Sequence, residues 1–168
     1  MPASFLDIID RYFTCEFTTF ARDGSPVTWP VSPILLDDGR FFLTTSIGLP
    51  QKAFNIRRNP KVSMLFSEPK GSGVAEPAAV LIQGDATAGE RLVTDVSAEK
   101  EFVKLAETLA VRQPAGAFWT TWLGKRLWWS YYMRILIYVT PRQAWFWPTR
   151  DFTASPEELD ISEVRRVG

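Results

Sequence analysis

Histidine is absent from this chain of 168 residues, and cysteine occurs once, at Cys15. Without histidine the sequence lacks the commonest zinc ligand, the commonest general base and the usual middle member of a hydrolytic triad. A lone cysteine excludes an intramolecular disulfide framework and every cysteine-rich metal site, so no metal is expected and the natural compartment is the cytoplasm. An excess of one charge is missing too. The 19 Lys and Arg are offset by 19 Asp and Glu, which leaves no whole-chain field to steer the protein onto nucleic acid or an anionic membrane. No stretch approaches the roughly 20 uninterrupted apolar residues that a membrane-spanning helix needs. Residues 1–13 carry neither a basic leader nor a long apolar run. Neither nucleic acid nor membrane is therefore expected as a partner.

What is present is core-forming material. Hydrophobic residues make up 46% of the chain and aromatics 14%, including seven Trp and twelve Phe, far from the polar composition of disordered chains. One domain is the default at this length.

Ser4 can cap a first helix, with Asp7 three residues on and apolar residues at helical spacing behind it. β-Branched and aromatic residues at 13–21 and 27–31, separated by Asp23-Gly24-Ser25-Pro26, read as a hairpin. A turn at Asp38-Gly39 leads to a buried strand at 40–45, completing a three-strand meander. Pro50 fits the first turn of a short helix over 51–58, which Asn59-Pro60 ends. Strands follow at 61–66 and 78–88, with Gly84 marking a bulge, and a helix at 97–111 capped by Ser97. The aromatics of 117–132 have no single period and define no element. A strand at 134–140 is broken by Pro141 and continues briefly at 144–147. The sum is a mainly β fold with peripheral α: a six-stranded antiparallel barrel over residues 1–148, and a polar, loosely held tail over 149–168.

The densest group of functional side chains is Thr44-Thr45-Ser46 at a strand end, followed by Lys52, Asn55, Arg57 and Arg58. Hydroxyls, helix amides and cations gathered within a few residues favour an anion. A capped surface helix with solvated basic residues would carry the same residue types. Glu76, Asp85, Glu90 and Asp95 have no spacing that forces two carboxylates together, and Cys15 in a strand reads as a small core residue.

Asp23-Gly24-Ser25-Pro26, Asp38-Gly39, Phe42-Leu43-Thr44-Thr45-Ser46 and the run from Gln51 through Asn59-Pro60-Lys61-Val62-Ser63 resemble the pyridoxamine phosphate oxidase-like superfamily. Within it the chain is most similar to the flavin and deazaflavin (coenzyme F-420) dependent oxidoreductases, well over 13–88 and loosely over 134–147. The resemblance implies a split β-barrel working as a homodimer, with FMN or coenzyme F-420 at the subunit interface. It implies that Thr45, Ser46 and Lys52 hold the cofactor phosphate, with Thr44 and Asn55 among the cofactor-binding residues, and that Thr28, Trp29, Pro30, Val31 and Ser32 run beside its ring system. The implied activity is hydride transfer to or from a small organic molecule, with the chemistry borne by the cofactor and no catalytic side chain required. A non-catalytic flavin or haem carrier or sensor on the same barrel is the alternative. The full arginine set of pyridoxine-phosphate oxidases proper is not evident, so the resemblance does not extend to that activity.

Overall fold

A computed structural model describes residues 4–74, 77–94, 99–112 and 133–162. Helix α1 (Phe5–Arg11) opens the chain, followed by strands β1 (Cys15–Phe20), β2 (Pro26–Val31), β3 (Ile34–Leu35) and β4 (Phe41–Ser46). Helix α2 (Gln51–Arg58) leads to β5 (Lys61–Phe66) and β6 (Ala79–Ala88). Helix α3 (Lys100–Arg112), β7 (Arg134–Trp147) and β8 (Glu157–Leu159) complete it.

The strands form one curled antiparallel sheet in the order β2-β1-β5-β6-β7-β4-β3, with β8 added to β7. The mainly β expectation holds, with β3 and β8 added to the six long strands. The sheet is a half-barrel: among the described residues β2 and β3 are its two margins rather than neighbours. Pro26 and Pro30 lie on β2, the place where a missing N–H does least harm.

Three local expectations are corrected. Strand β4 does not extend a meander from β2; it pairs with β7 from Phe41↔Val139 to Ser46↔Arg134. Pro141 does not end a strand, because β7 runs unbroken across it, with Gly84 opposite Pro141 at a register shift between Gln83 and Gly84. Glycine is required there, since a Cβ on Gly84 would collide with the Thr140 carbonyl oxygen. The tail is not loose throughout, as β8 pairs with β7 and Leu159 and Ile161 pack on the core.

The main core fills the concave side of the sheet with Phe17, Phe41, Met64, Phe66, Ile82 and Ile137, each such side chain contributing about 1.5–3 kcal/mol on burial. Helix α1 covers part of it. Its Ser4 cap and Asp7 bond reciprocally, and Ile8, Ile9 and Tyr12 point inward. Tyr12 donates its hydroxyl proton to the Ala78 carbonyl at 2.8 Å and accepts from the Ala78 N–H at 3.3 Å, tying α1 to β6. Strand β4 is buried on both faces, with Phe41 and Leu43 in this core and Phe42 in a second cluster with Leu136, Phe102 and Leu105 of α3. The expected Ser97 cap and the aromatics of 117–132 lie outside the described residues.

Candidate functional site

At the end of β4, Thr45 is buried and donates its hydroxyl proton to the Leu49 carbonyl at 2.8 Å, while the Leu49 N–H bonds the Ser46 carbonyl at 3.1 Å. These two bonds lock the turn that delivers the chain to Pro50 and α2. Pro50 occupies the N-cap position and no side chain caps the helix, so its first-turn amides remain available to an outside acceptor. Ser46 is half-buried, and its hydroxyl makes no hydrogen bond among the described residues.

Lys52 projects from the first turn of α2 and is only 7% exposed. Its ammonium stands 5.0 Å from the centroid of the Trp29 ring. No carboxylate pairs with it among the described residues. Burial, and then the Arg134 guanidinium nearby, hold its pKa below the ordinary lysine value. Arg134 opens β7 directly opposite Ser46. Two cations therefore converge on one strand end and one helix start, arranged to receive an anion.

Asn55, three residues further on α2, is fully buried. Its amide donates to Thr19 Oγ1 at 2.9 Å, and its oxygen accepts from Gln51 at 3.1 Å and from Arg58. The bonds of Asn55 thus run inside the protein, fastening α2 to β1.

The β2 residues divide by strand alternation. Trp29 and Val31 face inward, the former over Lys52 and the latter against the core. Thr28 and Pro30 are exposed on the other face, and the Thr28 and Thr18 hydroxyls bond at 2.8 Å. Ser32 lies just past the strand and Thr44 is half-buried beside Leu136. The structure thus gathers Trp29, Thr45, Ser46 and Lys52 and adds two residues that sequence reasoning missed, Arg134 and Thr19. Arg134 gave no signal, because the pairing of β4 with β7 is not local. Thr19 gave one: a hydroxyl at an inward position of an alternating strand requires a buried partner.

The other candidates are quieter. Burial pushes the Cys15 thiol well above its usual pKa, which makes it a poor nucleophile and a good core residue. Glu76 and Asp95 lie outside the described residues. Among the described residues no three metal-ligating side chains cluster, and no helix is long and apolar enough to cross a membrane.

Comparison with known proteins bears on the fold and the family. No curated protein matches the sequence. Among solved structures, a haem-binding protein from Mycobacterium smegmatis superposes with a TM-score of 0.59 at 12% identity, over 98% of this chain and 62% of that one. An F-420 reductase gives 0.55 at 19% identity, over 86% and 98% of the two chains. A haem storage protein from Vibrio cholerae gives 0.53 at 15% identity, over 82% and 87%. At such identities these establish the fold alone. The sequence model of pyridoxamine 5'-phosphate oxidase matches residues 1–123, which span the whole Trp29–Thr45–Lys52 arrangement, and the chain belongs to that family.

Proposed function

We propose that this protein is an oxidoreductase that holds FMN or coenzyme F-420 and transfers hydride to or from a small organic substrate. One observation carries the reading: Lys52 is a buried cation with an aromatic ring beside it and no anionic partner among the described residues. An uncompensated buried charge is costly. A bound phosphate removes that cost, and both cofactors supply one. Lys52, Arg134, the Ser46 hydroxyl and the first-turn amides of α2 are its ligands. Thr45 shapes the turn, since its proton is committed to Leu49. Asn55 and Thr19 hold α2 in place. The β2 segment from Thr28 to Ser32 flanks the ring system, which supplies the hydride chemistry when bound and leaves the protein to bind, orient and shield.

A homodimer with the cofactor at the interface fits the surface beside this site. Ile47, Leu49, Phe54 and Met133 are 48%, 67%, 46% and 41% exposed, and the Ile47 N–H bonds the Met133 carbonyl at 3.3 Å. Contiguous exposed apolar side chains of this kind mark an interface. On this reading the second subunit closes the pocket and the protein works in the cytoplasm.

Non-catalytic carriage of a flavin or haem is the second reading, supported by the haem-binding proteins that share the fold. The absence of histidine from the sequence removes the usual axial haem ligand. Fluorescence titration of the full-length protein with FMN and with F-420 tests the proposal. Tight binding of one, weakened roughly ten- to a hundredfold in Lys52→Ala, supports the site, and turnover of the reduced cofactor with organic acceptors separates enzyme from carrier. Failure to bind either cofactor would overturn both the site and the activity.

A further inference from the structure

The convex side of the sheet carries a groove of about 320 Å³, far from Lys52 and owing nothing to the proposed activity. Arg142, on its wall, lies eight residues along β7 from Arg134, roughly 26 Å at about 3.3 Å per residue. The groove forms where the bulge between Gln83 and Gly84 shifts β6 against β7. Its floor is a polar row across three adjacent strands, because Ser63 pairs with Gln83 and Gln83 with Gln143. Phe20 of β1, Lys61 of β5 and Arg142 of β7 line it as well, and the β1–β5 register carries Phe20 next to Lys61.

Those two cations are held together from beneath. Asp85 receives Lys61 Nζ at 3.0 Å on Oδ1 and the Arg142 guanidinium on Oδ2. The carboxylate side chain is 24% exposed, against 55% for Lys61 and 59% for Arg142. An incoming molecule therefore meets the cations first, with one net positive charge in the cluster. Arg142 retains most of its five N–H donors and Lys61 two of its three. Burial raises the Asp85 pKa, but the bonds and charges of Lys61 and Arg142 outweigh it and keep the carboxylate ionised. The cluster keeps its form through the neutral range.

We propose that this groove is a second binding site, for a small molecule that carries a carboxylate on a planar ring. The carboxylate lies against the free edge of Arg142 and the Lys61 ammonium, where charge-assisted bonds are strongest. The ring lies over the Ser63–Gln83–Gln143 row. The volume is about twice that of a cavity that holds benzene, so a substituted single or fused ring fits.

Benzoate and its neutral isostere benzamide are the probes, titrated to about 10 mM, enough to see a millimolar Kd, into isotopically labelled full-length protein. Side-chain amide resonances of Gln83 and Gln143 provide the readout. Benzoate is expected to shift them saturably and benzamide to leave them in place. Arg142→Gln and Lys61→Gln should each weaken benzoate at least tenfold, while Lys52→Ala leaves it unchanged. Equal response to both probes, no saturable response, or full benzoate affinity in the two charge variants would overturn the proposal.

Discussion

Trp29 on the edge strand β2 lies 5.0 Å from the ammonium of Lys52, a residue that follows β4 in sequence. Strands β2 and β4 stand five places apart in the sheet order. The contact therefore joins the β2 margin of the sheet to the start of α2. A cation over an indole contributes on the order of 0.5–2 kcal/mol, less than the several kcal/mol lost when an ion leaves water. The ligand-free pair is left with an electrostatic deficit that a bound anion would cancel.

From that deficit follows a trade of stability against function. Lys52→Met keeps the aliphatic stem and removes the buried charge. The ligand-free variant should be more stable by about 1 kcal/mol, which raises the Tm by about 2–4 °C in a chain of this size. The same change should weaken binding of the phosphorylated cofactor at least tenfold. Calorimetry and fluorescence titration on one preparation check both signs. A destabilised variant would mean that Lys52 is already neutralised in the native state.

The pH dependence of that stability has a definite sign. The folded pKa of Lys52 lies below the ordinary lysine value because of burial and then Arg134. Between the two values the unfolded chain holds a proton that the native state lacks, so stability rises with pH in that window. Below both values the penalty is present in full. Tyr12 and Tyr138 act oppositely at high pH, since burial raises the pKa of both phenols. Subtracting the Lys52→Met curve removes their effect. The stability advantage of Lys52→Met, measured by urea unfolding, should be largest near neutral pH and close as pH approaches about 10.4, the lysine reference value.

What could be read from the residues alone was local. The Ser4 and Asp7 capping pattern, the β1–β2 hairpin, Pro50 ahead of α2 and the Gly84 bulge all depend on chemistry within a few residues, and each stands in the structure. The placement of β4 did not, because its partner β7 lies about ninety residues away and nothing near Phe41 encodes it. Pro141 misled for the opposite reason. Its missing N–H locally disfavours a strand, yet the bulge beside Gly84 accommodates it inside a continuous one. In the site, Lys52 and Thr45 were legible as residue types at a strand end and a helix start. Arg134 became visible only once β4 and β7 were paired.

Tyr12 provides a test of how α1 is attached. Its hydroxyl serves both the carbonyl and the N–H of Ala78, and all of these groups are buried. Tyr12→Phe preserves the packing and leaves two backbone groups without a partner. A loss of about 1–3 kcal/mol is expected, read as a lower urea midpoint with an unchanged m-value. Cofactor affinity should stay the same, because α1 does not reach the Lys52 site.

Asn55 and Thr19 separate support of the site from contact with the ligand. Both are fully buried, and a 2.9 Å bond joins them. Thr19→Val removes the acceptor and leaves one Asn55 N–H unsatisfied. Asn55→Ala removes that donor together with the acceptor for Gln51 and Arg58. Each single change should cost about 1–3 kcal/mol. The double variant should cost less than the sum, with a coupling of about 0.5–3 kcal/mol for residues in direct contact. Cofactor affinity then decides their role. If Asn55 acts by holding α2, Thr19→Val and Asn55→Ala weaken the cofactor in proportion to one another, and the double variant is little worse than Asn55→Ala. If Asn55 touches the cofactor directly, Asn55→Ala weakens binding and Thr19→Val does not.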